Sequence, residues 1–240
     1  MNYKLEICYN GKNYNGYQIQ PKLKTIQGEL ETALSNIFNS EIKTTASGRT
    51  DAMVSALRQV VNFESDVEYS LLSRLNLTLP PDIKVLKVEY VNNNFNARFS
   101  AKKKTYAYNF YINRISNPYY DDFCYRVSYN IDVNKLEQQL KLLVGTHDFS
   151  AFSSADTQVE NKIRTIFSAK LICYGDVYCV QICGNGFLKN MIRIIMGTLF
   201  DIARGKIKES VLEIINSKNR AKAGKTAGAV GLVLMDVNYD

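Results

Sequence analysis

The sequence predicts an α+β protein of two similar halves, each a mostly antiparallel sheet with helices. Three observations predict it. Residues 1–94 run strand, helix, strand, loop, strand, helix, strand by their hydrophobic period. Residues 95–240 supply a second set of strands and helices of the same kind. Between them, Asn92-Asn93-Asn94 is a polar, turn-forming cluster suited to a domain boundary. The likeness between the halves is one of architecture, with no sequence repeat strong enough to prove it.

In order, Tyr3, Leu5, Ile7 and Tyr9 alternate with other residues and predict a half-buried strand. A loop with two glycines and two aromatics follows, from Asn10 to Tyr17. Ile26, Leu30, Ala33, Leu34, Ile37 and Phe38 recur at helical spacing behind Thr25, a suitable N-cap. A short strand is expected over Ile42–Thr45 and another over Gln59–Phe63. A helix over Leu71–Leu79 stops at Pro80-Pro81, and Ile83–Tyr90 returns as a strand. In the second half, Thr105–Tyr111 is a strand with Tyr106, Tyr108 and Phe110 on one face. Asp132 is placed to cap a helix carrying Leu136, Leu140 and Leu143. Gly145–Phe149 reads as a loop, and Ile163–Tyr174 with Val177–Cys183 as a hairpin around Gly175-Asp176. A strongly apolar helix is expected over Phe187–Ala203, a shorter one over Val211–Ile215, and a closing strand over Gly231–Val237.

A chain of 240 residues suffices for one large domain or two ordinary ones. Thirty Lys and Arg against 23 Asp and Glu leave a formal charge of +7, which favours a polyanionic partner such as nucleic acid. No run approaches the roughly 18–20 apolar residues of a membrane span. The richest, Leu188–Phe200, is interrupted by Lys189, Asn190 and Arg193. The N-terminus has neither a basic region nor an apolar core of the secretory kind, so no membrane and a cytoplasmic location are expected. Cys8, Cys124, Cys173, Cys179 and Cys183 contain no Cys-x2-Cys pair, and His147 is the single histidine. Reduced core thiols are expected rather than a zinc site.

Ala46-Ser47-Gly48-Arg49-Thr50-Asp51-Ala52 falls between strand-like segments, where the backbone must turn. Gly48 tolerates a left-handed backbone. Arg49 offers a planar cation suited to phosphate, and Asp51 a carboxylate two residues on. Taken alone, the heptapeptide fits equally a surface ion pair of little energetic worth. Lys102-Lys103-Lys104, with Arg98 upstream, precedes the tyrosine-rich strand. Lysines neutralise phosphates and aromatic faces stack on unpaired bases; an exposed lysine run beside buried tyrosines is the alternative. Basic and aromatic groups recur together around Lys12 and Tyr17, which favours the nucleic-acid reading. Arg193 has apolar neighbours on nearly every side. It either snorkels to solvent or meets a carboxylate, for which Asp51 is the candidate. Ala223-Gly224-Lys225-Thr226 resembles the end of a P-loop, but Asn219 stands where the first glycine belongs. His147-Asp148 lacks an activated serine, and no dinucleotide fingerprint occurs. No motif calls for a cofactor.

Ser47-Gly48-Arg49-Thr50-Asp51-Ala52 resembles the catalytic motif of the TruA-type tRNA pseudouridine synthases. Further matching signatures occur in the family's order along almost the whole chain. They are Tyr14–Gln18, Phe95–Ala101, Tyr106-Ala107-Tyr108, Gly145–Phe152, Phe187–Arg193 and Gly231–Leu234. The resemblance implies two α+β halves, 1–94 with the Asp loop and 95–240 with the Tyr and Arg. Their sheets are expected to join around a central basic cleft, in a homodimer. It implies an isomerase that needs no cofactor or metal and converts uridine to pseudouridine in the anticodon stem-loop of tRNA, at positions 38–40. Asp51 matches the catalytic aspartate, Tyr106 the tyrosine that packs on the target base, and Arg193 the arginine that pairs with the aspartate. Arg49 matches the arginine that holds the nucleotide out of its stack, an extrusion costing a few kcal/mol. Tyr17, Arg98, Lys102, Lys103 and Lys104 are the further RNA-binding candidates.

The chain also departs from the family pattern. Ala52-Met53-Val54-Ser55-Ala56 stands where the family has Ala-Gly-Val-His-Ala, and Tyr17 where it has tryptophan. Met53 lacks glycine's freedom, which predicts a different course just past Asp51. Ser55 removes an imidazole within reach of RNA. Met53 and Ser55 motivate one rival reading, a divergent paralogue acting on another RNA such as ribosomal RNA; a non-catalytic RNA-binding protein is the second.

Overall fold

The computed structural model describes residues 1–68, 70–154, 156–157 and 159–240. The chain forms two compact units. One holds Met1–Lys102 together with Val233–Asp240, and the other holds Lys103–Leu232. The sequence expects the division at Asn92–Asn94; the compact units divide eight residues later than Asn94, between Lys102 and Lys103, and the last strand returns to the first unit.

In the first unit β1 (Asn2–Tyr9) runs antiparallel to β3 (Ser55–Glu64) on one side and to β4 (Ile83–Val91) on the other. A strand paired on both edges and covered on a face buries its inward residues, and Tyr3, Leu5 and Ile7 are fully buried. The short β2 (Thr45–Ala46) pairs with the far end of β3, and β10 (Leu232–Asn238) joins β3 in parallel at Ser55 and Ala56. Helix α1 (Ile26–Phe38) begins where Thr25 accepts a hydrogen bond from the Gly28 N–H and ends at left-handed Asn39. Its buried stripe of Ile26, Leu30, Ala33, Leu34 and Phe38 is the one its spacing predicts. Phe38 meets an aromatic cluster of Tyr3 and Phe63, whose rings stack 4.9 Å apart. Helix α2 (Leu71–Thr78) stops ahead of the proline pair.

In the second unit β5 (Lys103–Ile112), β9 (Val177–Gly184), β8 (Ile163–Tyr174) and β7 (Gly145–Asp148) form an antiparallel sheet in that order. Helix α3 (Pro118–Asp121) and β6 (Tyr125–Val127), which pairs in parallel with β5, are short elements that the hydrophobic period does not reveal. Helix α4 (Val133–Lys141) is capped by Asp132 as expected. Helix α5 (Met191–Ala203) is buried at every position but Arg193, as a helix apolar on nearly all sides must be, and its buried Asp201 is paired with Arg204 and Lys206. Helix α6 (Val211–Ser217) starts with a reciprocal Ser210–Glu213 capping box.

Several expectations change. The strand placed at Ile42–Thr45 is displaced to Thr45–Ala46, because the Thr44 N–H and hydroxyl both bond Glu31 Oε1 at 2.8 Å and leave no donor for a ladder. Gly145–Asp148, read as a loop, is the strand β7, tied to β8 partly through facing Thr146 and Thr165 hydroxyls 2.8 Å apart. The helix expected from Phe187 starts four residues later, because Asn190 adopts φ 60°. Cys173 is exposed near the end of the β8–β9 hairpin rather than in the core. No described helix is long and apolar enough to cross a membrane.

Candidate active site

The stretch from Ser47 to Ser55 is fixed by buried side chains beneath it. Ser47 donates its backbone N–H to Val60 at 2.8 Å and its hydroxyl to Gln59 Oε1 at 2.5 Å. The other end of that amide, Gln59 Nε2, donates to the Gly48 carbonyl at 2.8 Å. Gln59 and Ser47 are both fully buried, so each polar atom here needs a partner, and the two residues satisfy one another. Thr50 is buried against Tyr9, with their oxygens 2.8 Å apart. Burial pushes the Tyr9 hydroxyl up to about 12 against the opposing hydrogen bonds from Thr50 and Gln59, so it stays protonated and uncharged.

The segment before α1 closes the loop from the other side. Tyr17 donates its N–H to the Thr50 carbonyl at 3.0 Å, and Met53 donates to the Tyr14 carbonyl at 3.2 Å. Gly16, at φ 92°, lies so close that a β-carbon there would sit 2.9 Å from the Thr50 oxygen. Out of this tethered backbone Arg49 projects as an exposed side chain, while Asp51 is half-buried.

The left-handed position in this stretch falls on Met53, at φ 66°, and not on Gly48. Methionine thus adopts the backbone that glycine enters without strain, rather than sending the loop elsewhere. The conformation costs an L-residue about 1–2 kcal/mol, partly offset because methionine loses less backbone entropy than glycine on folding. Met53 is 41% exposed and loses little packing when shortened. Met53→Gly is therefore expected to be neutral or to stabilise by up to about 1 kcal/mol, and Met53→Val, β-branched, to destabilise by about as much. Urea unfolding midpoints falling in the order Gly, Met, Val check this. Ser55 also supports the local structure, since its hydroxyl accepts the Gly11 N–H at 3.0 Å.

In the second unit Tyr106 is half-buried on β5, with its ring edge-on to Phe187 at 5.2 Å. Tyr108, two residues on, is fully buried, and burial raises its hydroxyl well above the ordinary value, with the nearby Arg193 charge acting the other way. Arg193 lies in the first turn of α5. Its Nη1 donates to Asn190 Oδ1 and its Nε to the Ala227 carbonyl, each at 2.9 Å. These two bonds hold the guanidinium in place rather than leaving it to snorkel.

Of the RNA candidates, Arg98, Lys102 and Lys103 are exposed and Lys104 is half-buried. Lys103 lies over the Phe167 ring at 5.7 Å. Arg98 covers Phe99, which is 78% exposed, at 5.4 Å. The segment carrying Arg98 and Phe99 is locked to its sheet by Asn62, which accepts the Ala97 N–H at 2.8 Å, and by Tyr239, which donates to the Ala97 carbonyl at 2.8 Å. Tyr17 departs from expectation. It is 2% exposed, with its ring beside Tyr9, so it supports the loop from below and offers no face for a base.

Tyr9, Gln59 and Asn62 are not among the site residues that the sequence suggests. A signal for two of them is present: Gln59 and Asn62 flank Val60-Val61 in a strand, and polar amides amid a buried apolar run must be bonding something. Among the described residues no three or more His, Cys, Asp or Glu converge as metal ligands would.

The family profile described as "tRNA pseudouridine synthase" matches residues 140–240. The tRNA pseudouridine synthase A of Bacillus licheniformis is 43% identical over 100% of this chain and 100% of its own. That of Anoxybacillus flavithermus is 42% identical over 99% of this chain and 98% of its own. Among solved structures, a Cbf5-Nop10-Gar1 complex aligns with 97% of this chain and 58% of that one at 11% identity and a TM-score of 0.41, too slight a likeness to bear on this chain. A match of this identity along the full length, with the Asp51 loop inside it, leaves one assignment: the chain belongs to the tRNA pseudouridine synthase A family.

Proposed function

We propose that the protein isomerises uridine to pseudouridine in the anticodon stem-loop of tRNA, at positions 38–40, acting in the cytoplasm as a homodimer. The observation that carries this reading is the full-length family membership of a chain whose Asp51 stands on a rigidly tethered loop beside an exposed arginine. The reaction breaks the N1–C1′ glycosidic bond and forms C5–C1′; the proton on C5 leaves and N1 gains one. Nothing is oxidised or reduced. Asp51 is the carboxylate that lets the base detach, and Arg193 is the cation that the family resemblance assigns to it. Tyr106 packs on the base and assists removal of the C5 proton. Arg49 holds the extruded nucleotide, at a cost of a few kcal/mol that phosphate contacts offset. Arg98, Lys102, Lys103 and Lys104 supply salt-sensitive backbone contacts.

The test is release of tritium to water from unmodified tRNA transcripts labelled at uridine C5. Release that disappears when uridines 38–40 are replaced by cytidine is expected. Absence of release from every tRNA, or release from ribosomal RNA alone, overturns the reading.

A further inference from the structure

The segment that resembles the end of a P-loop has no part in the function proposed above, yet side chains from three other elements bond to it. Residues 223–228 form a strap lying directly across α5. At the crossing, a β-carbon on Gly197 would sit 1.7 Å from the Lys225 carbonyl oxygen, and one on Gly224 would sit 2.8 Å from the Gly197 oxygen. Only a bare backbone fits there. Buried Thr198 bonds the strap to the helix: its hydroxyl accepts the Gly224 N–H at 2.9 Å and donates to the Ile194 carbonyl at 2.7 Å.

Arg220 gathers the start of the strap. Its Nη1 donates to the Gly224 carbonyl at 3.0 Å and, at a longer 3.4 Å, to that of Ala223. Its Nη2 reaches the Thr226 hydroxyl at 3.4 Å. At the far end, fully buried Tyr108 donates its hydroxyl to the Gly228 carbonyl at 2.8 Å. Between these anchors Ala227 makes two hydrogen bonds to one residue, Arg193. The Ala227 N–H donates to the Arg193 carbonyl at 3.0 Å, and the Ala227 carbonyl accepts from Arg193 Nε at 2.9 Å. A carbonyl held at both flanks orients the guanidinium it accepts from, whereas a loose one would let it turn. A planar fork that reaches several oxygens at once suits arginine and not lysine.

We propose that Arg220, acting through the strap 223–228, is a positioning residue for Arg193, the strap's Ala227 carbonyl setting the direction of the guanidinium. The inference rests on the catalytic role proposed for Arg193, and its test has one readout that does not. In the folded protein the Arg193 Nε–H resonance is followed by 15N-resolved NMR. Wild-type protein is expected to show slow exchange with solvent at this group, and Arg220→Gln an exchange at least about tenfold faster. Unchanged exchange overturns the strap whether or not the protein makes pseudouridine.

In turnover, Arg220→Gln is expected to lower kcat about tenfold with KM for tRNA within twofold of wild type. Arg220→Lys is expected to restore little, since it cannot span the oxygens. The loss is expected to vanish in an Arg193→Lys background, because a residue acting through Arg193 has nothing left to position. A kcat within twofold of wild type, a raised KM in place of a lowered kcat, or a loss that multiplies with that of Arg193→Lys overturns the proposal. If Arg220→Gln does not fold, Arg220→Lys, which keeps the charge but cannot span the oxygens, takes its place with the same outcomes.

Discussion

Asp51→Asn is expected to lower pseudouridine formation by about a thousandfold or more while the protein stays folded and binds tRNA within about threefold of wild type. A thousandfold corresponds to about 4 kcal/mol of transition-state stabilisation, a fitting size for a group that acts on the reacting atoms and not through bulk charge. The structure explains why the fold survives the change. The loop is fixed by Ser47 and Gly48 through Gln59, by Thr50 through Tyr9 and Tyr17, and by the Met53 N–H. None of those tethers uses the Asp51 side chain, and asparagine has its shape. Tritium release, thermal melting and tRNA binding at one stated salt concentration are the measurements. Turnover within tenfold of wild type removes Asp51 from its role, and a melting temperature lowered by more than a few degrees shows that its role is structural.

Gly197→Ala is expected to be the most damaging small substitution in α5. Helix propensity alone argues the opposite, since alanine in a helix interior is favoured over glycine by about 1 kcal/mol. The close crossing reverses the sign. The added methyl would lie 1.7 Å from the Lys225 oxygen, and that oxygen belongs to backbone, which cannot rotate aside. Either the strap lifts or the helix shifts, and both are held by Thr198, Arg220 and Tyr108. Overpacking in such a setting costs about 3 kcal/mol, which for a chain of this size lowers the melting temperature by roughly 6–12 °C. Because the strap carries the Ala227 carbonyl, activity at temperatures where the variant remains folded is also expected to fall. A variant as stable as wild type would show that the crossing is looser than the structure has it.

Much of the fold is legible in the sequence because its signals are local. The Ile26–Phe38 stripe with Thr25 ahead of it, Asp132 before Leu136, the prolines after Thr78 and Gly175-Asp176 between two alternating runs each state an element in its own neighbourhood. The misses share a cause. Thr44 leaves the expected strand because Glu31, on another element, takes its donors. Gly145–Asp148 becomes a strand only because β8 is there to pair with it. Asn190 ends the expected first turn of α5 by a left-handed backbone joined to its bonds with Ser154 and Arg193.

The same division runs through the candidate site. By itself the sequence determined that the chain is α+β, that its motifs are those of the tRNA pseudouridine synthase A family, and which aspartate, tyrosine and arginine match that family. Residue identity and spacing carry such information without coordinates. Only the tertiary structure decided that Met53 adopts the left-handed turn that glycine would, that Tyr17 is a buried support, and that Gln59 and Tyr9 hold the Asp51 loop from beneath. It alone turned a failed P-loop into the strap that orients Arg193. The physical reason is that a buried polar group must find its partner wherever the fold brings one, and a partner 34 residues away along the chain, as Ala227 is from Arg193, leaves no mark in the local pattern.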